Sequence, residues 1–76
     1  MKVKNALKSL MYDTNVDVYP VTESKSLTEL LSYTGKLGDM PYETFYAIKN
    51  MNTFEAIYIE DGYAKLGFEL PEELDA

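Results

Sequence analysis

The spacing of apolar positions changes period along this chain, and each period predicts an element. Val3, Leu7, Leu10 and Met11 fall at i, i+4, i+7 and i+8, one face of a helix, with Lys2, Lys4, Lys8 and Ser9 on the remainder. The spacing predicts a helix over 2–11, left through the turn residues Asp13-Thr14-Asn15. Val16-Asp17-Val18-Tyr19-Pro20-Val21 is β-branched and aromatic and reads as a strand. Pro20 cannot donate to a ladder, so that strand lies at an edge or stops there. A polar loop, Glu23-Ser24-Lys25-Ser26, follows.

Over 26–37 two patterns compete. Ser26-Leu27-Thr28-Glu29 matches a capping box with Ser26 as the cap, and Leu27, Leu30 and Leu31 repeat at helical spacing. Leu31 to Leu37 alternates like a strand, and Gly35 would shorten any helix. A helical turn feeding a strand satisfies both patterns. Gly38-Asp39-Met40-Pro41 then opens a helix over about 41–50, in which Tyr42, Phe45, Tyr46 and Lys49 share a face with Ile48 and Met51 beside them.

The last third carries a hairpin. Thr53–Glu60 and Tyr63–Leu70 flank Asp61-Gly62, the dipeptide favoured in a type I′ turn. A two-residue loop pairs Glu60 with Tyr63, Ile59 with Ala64, Tyr58 with Lys65 and Ile57 with Leu66. One face then collects Ile57, Ile59, Ala64, Leu66 and Phe68. The other collects Phe54, Ala56, Tyr58, Glu60, Tyr63, Lys65 and Glu69, a clean sorting that a slipped register would scramble. Pro71 stops the last strand. Residues 1–70 thus read as a single α+β domain, and 71–76 as a short acidic tail that frays.

Composition narrows the function. A chain of 76 residues buries only somewhat over ~60% of its unfolded surface, so its margin of stability is thin. Without cysteine it has neither disulfides nor thiolate metal sites, and without histidine it lacks the commonest transition-metal ligand. No cofactor and no metal are expected, which leaves packing and self-association to stabilise the fold. Thirteen acids oppose seven lysines, giving a net charge of -6 with no arginine, which disfavours direct nucleic-acid binding. The charge is uneven: Lys2, Lys4 and Lys8 stand in an opening stretch free of acids. No long apolar run predicts a membrane span, and no apolar stretch after Met1-Lys2-Val3-Lys4-Asn5 predicts a signal peptide, so a cytoplasmic protein without membrane partners is expected.

Each motif that carries chemistry in other proteins has a plainer reading here. A Ser9–Lys8 nucleophile pair would need two helix neighbours to converge. Asp13-Thr14-Asn15-Val16-Asp17 opens like a calcium loop, but Val18 and Ser24 stand where that loop needs glycine and glutamate. Glu60-Asp61 and Glu72-Glu73 fall at a turn tip and in the tail, both solvated, rather than in a pocket that would split their pKa values. Gly35-Lys36-Leu37-Gly38 has the form of a GXXG phosphate clamp, against a net negative charge. An enzyme is not expected. The aromatics carry more, with seven tyrosines and three phenylalanines in the chain. Phe54, Tyr58 and Tyr63, with Tyr19 on the first strand, are the candidate protein interface. Either a helix covers their face and makes it core, or the face stays open to a partner or to a second copy.

The lysine-bearing first helix, the extended Val16-Asp17-Val18-Tyr19, the segment Tyr33-Thr34-Gly35-Lys36-Leu37-Gly38-Asp39-Met40-Pro41-Tyr42-Glu43 and the closing hairpin together resemble small uncharacterised proteins encoded in phages and prophages of Gram-positive bacteria. The resemblance implies a strand over 31–37 and a sheet of three or four mostly antiparallel strands. It brings no activity with it, and so no functional residue. The expected architecture is α+β, with two helices packed on one face of that sheet. The expected function is a non-enzymatic binding or adaptor protein, with self-association into a homo-oligomer as an accompanying option. The alternative is an acidic DNA mimic, whose carboxylates would line one face and inhibit a host DNA-binding or defence enzyme.

Overall fold

The computed structural model describes residues 1–71. Helix α1 (Val3–Lys8) leads to strand β1 (Asn15–Pro20), helix α2 (Lys25–Leu31) and strand β2 (Tyr33–Lys36). A 3₁₀ turn (Leu37–Asp39), helix α3 (Tyr42–Ile48) and the strands β3 (Tyr58–Glu60) and β4 (Tyr63–Phe68) complete the chain. The strands form one sheet in the order β2-β1-β4-β3. Its outer pairings, β1–β2 and β3–β4, are antiparallel, and the central pairing, β1–β4, is parallel.

The alternation in β1 and β4 explains where the core sits. The parallel register sets Val16 beside Ala64 and Val18 beside Leu66, so one sheet face is apolar. Those four side chains and Phe68 are buried, as are Val3, Ala6 and Leu7 of α1, Leu31 of α2 and Ile48 of α3, and all ten form one cluster. Burying each large side chain is worth about 1.5–3 kcal/mol. The helices are six or seven residues long and too short to persist alone, so the sheet holds them.

Helices α1 and α3 also hold each other end to end. The Val3 and Lys4 N–H groups donate to the Met51 and Lys49 carbonyls at 2.9 and 3.0 Å, and Lys2 Nζ donates to the Asn50 carbonyl at 2.9 Å. Unpaired donors that begin one helix meet unpaired acceptors that follow another.

The α+β class and the mostly antiparallel sheet match the sequence reading, with four differences in detail. First, there are three α-helices among the described residues, because the contested segment resolves as helix then strand. The cap of α2 is Ser24 rather than Ser26: Ser24 has extended backbone, and its Oγ accepts from the Leu27 N–H at 3.2 Å. Second, of the two readings left open for the strand with Pro20, the edge one fails and the stop holds: β1 lies inside the sheet and ends at Pro20. The ladder bond there comes from the next residue, Val21 N–H to the Phe68 carbonyl at 2.8 Å.

Third, α1 stops at Lys8, and Met11, placed by period on the core face, is 73% exposed beyond the helix end. Fourth, the hairpin keeps its register only from Glu60–Tyr63 to Tyr58–Lys65. Asp61 and Gly62 both have positive φ, 54° and 81°, as a type I′ turn requires. The Ile57–Leu66 pair does not form. Pairing resumes at Thr53–Phe68, two residues out of step, so the chain between bulges and β3 is cut to three residues. Ile59, expected on the apolar face, is 70% exposed on this short edge. The acidic tail expected over 71–76 lies, after Pro71, outside the described residues.

Gly35 occupies a position closed to other residues. Its φ is +145°, and a Cβ there would lie 2.9 Å from the Tyr33 hydroxyl, which donates to the Lys36 carbonyl. Gly35→Ala is expected to lower stability by about 1–3 kcal/mol, read as a shift in the urea unfolding midpoint. An unchanged midpoint would show that the backbone there relaxes freely.

Candidate functional site

The core uses one sheet face, and the polar residues between the core positions stand on the other. The registers set Thr34, Asp17, Lys65 and Tyr58 in one row across β2, β1, β4 and β3. Asp17 is held from both sides: Lys65 Nζ donates to Oδ2 at 2.9 Å and Thr34 Oγ1 donates to Oδ1 at 3.2 Å. The hydrogen bond to Asp17 raises the Lys65 pKa, against desolvation that lowers it. A half-exposed pair of this kind adds little stability and mainly fixes side-chain positions.

Tyr19 reaches over this row. It stands beside Gly67, and a Cβ on Gly67 would lie 3.1 Å from the Tyr19 ring, so a larger residue there would press on the ring where it crosses β4. On the far side the Tyr19 and Tyr58 hydroxyls are 3.5 Å apart. Tyr63 lies opposite Glu60 at the turn end, half-buried. Phe54 donates its N–H to the Gly67 carbonyl at 2.9 Å and is 55% exposed. It also lines a cavity of about 490 Å³ between the 53–57 segment and α1. The fold therefore brings Tyr19 and Tyr58 into contact, sets Phe54 beside Gly67 and places Tyr63 one row away. Tyr58, at 40% exposure, is not covered by a helix as a core residue would be.

A second surface escaped the sequence reading. The loop after α1 is pinned to the 3₁₀ turn by Gly38 N–H to the Tyr12 carbonyl at 2.8 Å and Leu37 N–H to the Thr14 carbonyl at 2.9 Å. Between α1, that turn and α3 lies an apolar groove of about 670 Å³. Leu7, Leu10 and Phe45 line it, as do the exposed Met11, Tyr12 and Tyr42. Tyr42 packs on Tyr46 with ring centres 5.7 Å apart, and Lys49 Nζ sits 4.4 Å over the Tyr46 ring. The signal was present in the sequence as Met11-Tyr12 just past a helix and Tyr42 and Tyr46 at i, i+4.

The remaining motifs have structural roles. Ser9 Oγ donates to the Ala6 carbonyl at 2.7 Å, back onto its own helix. Asn15 and Asp17 belong to β1 rather than to a cation loop, and Gly35 and Gly38 fall in a strand and a 3₁₀ turn. Among the described residues no three carboxylates gather where they could hold a metal ion, and no helix is long and apolar enough to cross a membrane. Comparison with family models, with curated proteins and with solved structures found no match to this chain.

The Tyr19 phenol is pushed up from 10.0 to about 12, first by its hydrogen bond to Tyr58, then by desolvation, then by the charges of Tyr58, Glu55 and Asp17. A folded-state pKa above the unfolded one contributes stability that is complete below pH 10 and lost as the pH climbs towards about 12. Tyr58→Phe should bring the Tyr19 titration back towards 10 and flatten that alkaline loss. Phenolate absorbance and alkaline unfolding curves measure both, and an unaltered titration would mean that Tyr58 does not set it.

Proposed function

We propose that this chain is a non-enzymatic protein-binding module and that its open sheet face is a contact surface. One observation carries the reading: Tyr19 and Tyr58, with Tyr63 one row away, stand on the side of the sheet away from the core cluster, around the Asp17–Lys65 pair. Tyrosine offers broad contact area at low conformational cost together with a polar tip, which suits a surface that must be wet when free and dry when bound. Self-association through this face belongs to the same proposal. The resemblance of the Tyr33–Glu43 segment supports a phage or prophage origin, and cytoplasmic residence goes with it.

Mimicry of a nucleic-acid backbone would need a continuous acidic band. The exposed acids among the described residues instead come from separate elements: Asp13 after α1, Glu23 before α2, Glu29 on α2, Asp39 in the 3₁₀ turn, Glu43 on α3, Glu55 in the bulge, Glu60 and Asp61 at the turn, and Glu69 after β4. Asp17 is already neutralised by Lys65. Scattered acids favour the tyrosine face over the mimic.

The test is affinity capture from a bacterial lysate with the wild-type chain and with Tyr19→Ser/Tyr58→Ser, whose fold is checked by circular dichroism. A protein held by the wild type and reduced at least about tenfold by the variant is the expected result, since aromatic anchors at interfaces carry about 2 kcal/mol or more. Capture of a DNA-binding enzyme indifferent to these tyrosines would replace this reading with the mimic. Sedimentation over a concentration series decides self-association, and a monomer throughout would remove it.

A further inference from the structure

We infer that the groove between α1 and α3 receives an acidic amphipathic helix of a partner protein. Its lining contains two charged residues, Lys4 and Lys8, and both are cations in a chain of net charge -6. They sit in residues 1–12, the longest stretch of the chain without an acid, and α1 presents them one turn apart along the groove wall. Charge this uneven selects an occupant of the opposite sign. Asp13, Asp39 and Glu43 are close in sequence to the lining residues but are not themselves part of the lining.

The shape selects the class of occupant. Met11, Tyr12 and Tyr42 are 73, 82 and 72% exposed, so a small molecule would leave much of itself and of these walls in water. A polypeptide segment long enough to lie along the groove would cover them. The walls are helices and a 3₁₀ turn, which offer side chains rather than a free strand edge, so the fitting mode is a helix laid into a groove. Its apolar positions at i, i+3, i+4 and i+7 would meet Leu7, Leu10 and Phe45, and its flanking carboxylates would meet Lys4 and Lys8. A membrane fits less well, because the apolar surface is concave and the chain as a whole is acidic. A nucleic acid would find two lysines and no arginine.

This inference stands apart from the sheet-face reading, and each can fail alone. The probes are two sets of helix-forming peptides sharing one apolar i, i+3, i+4, i+7 pattern, one flanked by glutamate and the other by lysine. Binding to the full chain is followed by fluorescence anisotropy and by amide shifts in NMR. Glutamate-flanked members are expected to bind, more weakly as salt rises, with shifts at Lys4, Lys8, Tyr12 and Tyr42. Lys4→Glu/Lys8→Glu should weaken them about tenfold or more and admit lysine-flanked members, and Lys4→Met/Lys8→Met should fall between. Both variants change exposed residues, and circular dichroism verifies that they fold. Tyr58→Ser should leave peptide binding unchanged. The inference is overturned if no glutamate-flanked peptide binds, if both sets bind equally, or if the shifts fall on the sheet face. It is also overturned if the groove responds to phosphatidylglycerol vesicles or to a second copy of the chain but not to the acidic peptides.

Discussion

The inner face of the parallel pair β1–β4 is the constraint on which the rest of this fold depends. Val16 beside Ala64, Val18 beside Leu66 and Pro20 beside Phe68 make the floor against which every helix packs. None of the helices has the length to form first and wait for the others. The pairing is also non-local: Asp17 and Lys65, neighbours across it, are 48 residues apart in the chain. The central pair cannot close until the chain between has been placed, and that chain supplies α2, β2, α3 and β3. Local segments and long-range pairing must therefore form together, which makes a single cooperative unit of a chain with few buried residues.

The head-to-tail joint of α1 and α3 is the second organising contact. A short helix leaves most of its backbone donors and acceptors unpaired, so its ends matter more than its middle. Here the start of α1 and the residues after α3 satisfy each other through Val3, Lys4, Lys49 and Met51. The arrangement joins the two helices at these ends without filling the space between them. The apolar groove follows from that geometry: its walls are set by backbone hydrogen bonds at one end and by the 3₁₀ turn pinned to Tyr12 and Thr14 at the other.

What could be read from the sequence was whatever depended on neighbours in the chain. The hairpin register near Asp61-Gly62 was legible because turn chemistry and alternation both act over a few residues. The strand over Val16–Val21 was legible for the same reason. The parallel pairing was not, since nothing in β1 or β4 alone says which strand will lie beside it. The bulge at 54–57 was hidden because continued alternation in the sequence gave a good strand pattern, while the chain instead slips two residues to bring Thr53 beside Phe68. Helical period likewise carried Met11 onto the core face, but α1 ends before it, and no strong stop signal marks Ser9. The tyrosine face was visible as a face. The groove was not, because it is made from three segments whose apolar residues each read as core.

A parallel strand pair is usually buried on both sides, so an open outer face on β1–β4 needs an explanation. Side chains of the sheet itself supply the cover. The Tyr19 ring lies across Gly67, and the Lys65 stem and Asp17 carboxylate stand over the middle of the pair. This cover is thin and amphipathic, with ring edges and hydroxyls towards water. It also leaves the centre of the face without an unpaired charge. Burial of a carboxylate is costly when its lone pairs lose water without replacement, but Asp17 already accepts from Lys65 and Thr34. A partner arriving on this face would displace water mainly from tyrosine rings, whose burial is favourable, and would find the one central charge already matched. The same arrangement that lets a parallel pair go without a second layer of helices is the one on which the proposed contact would rest.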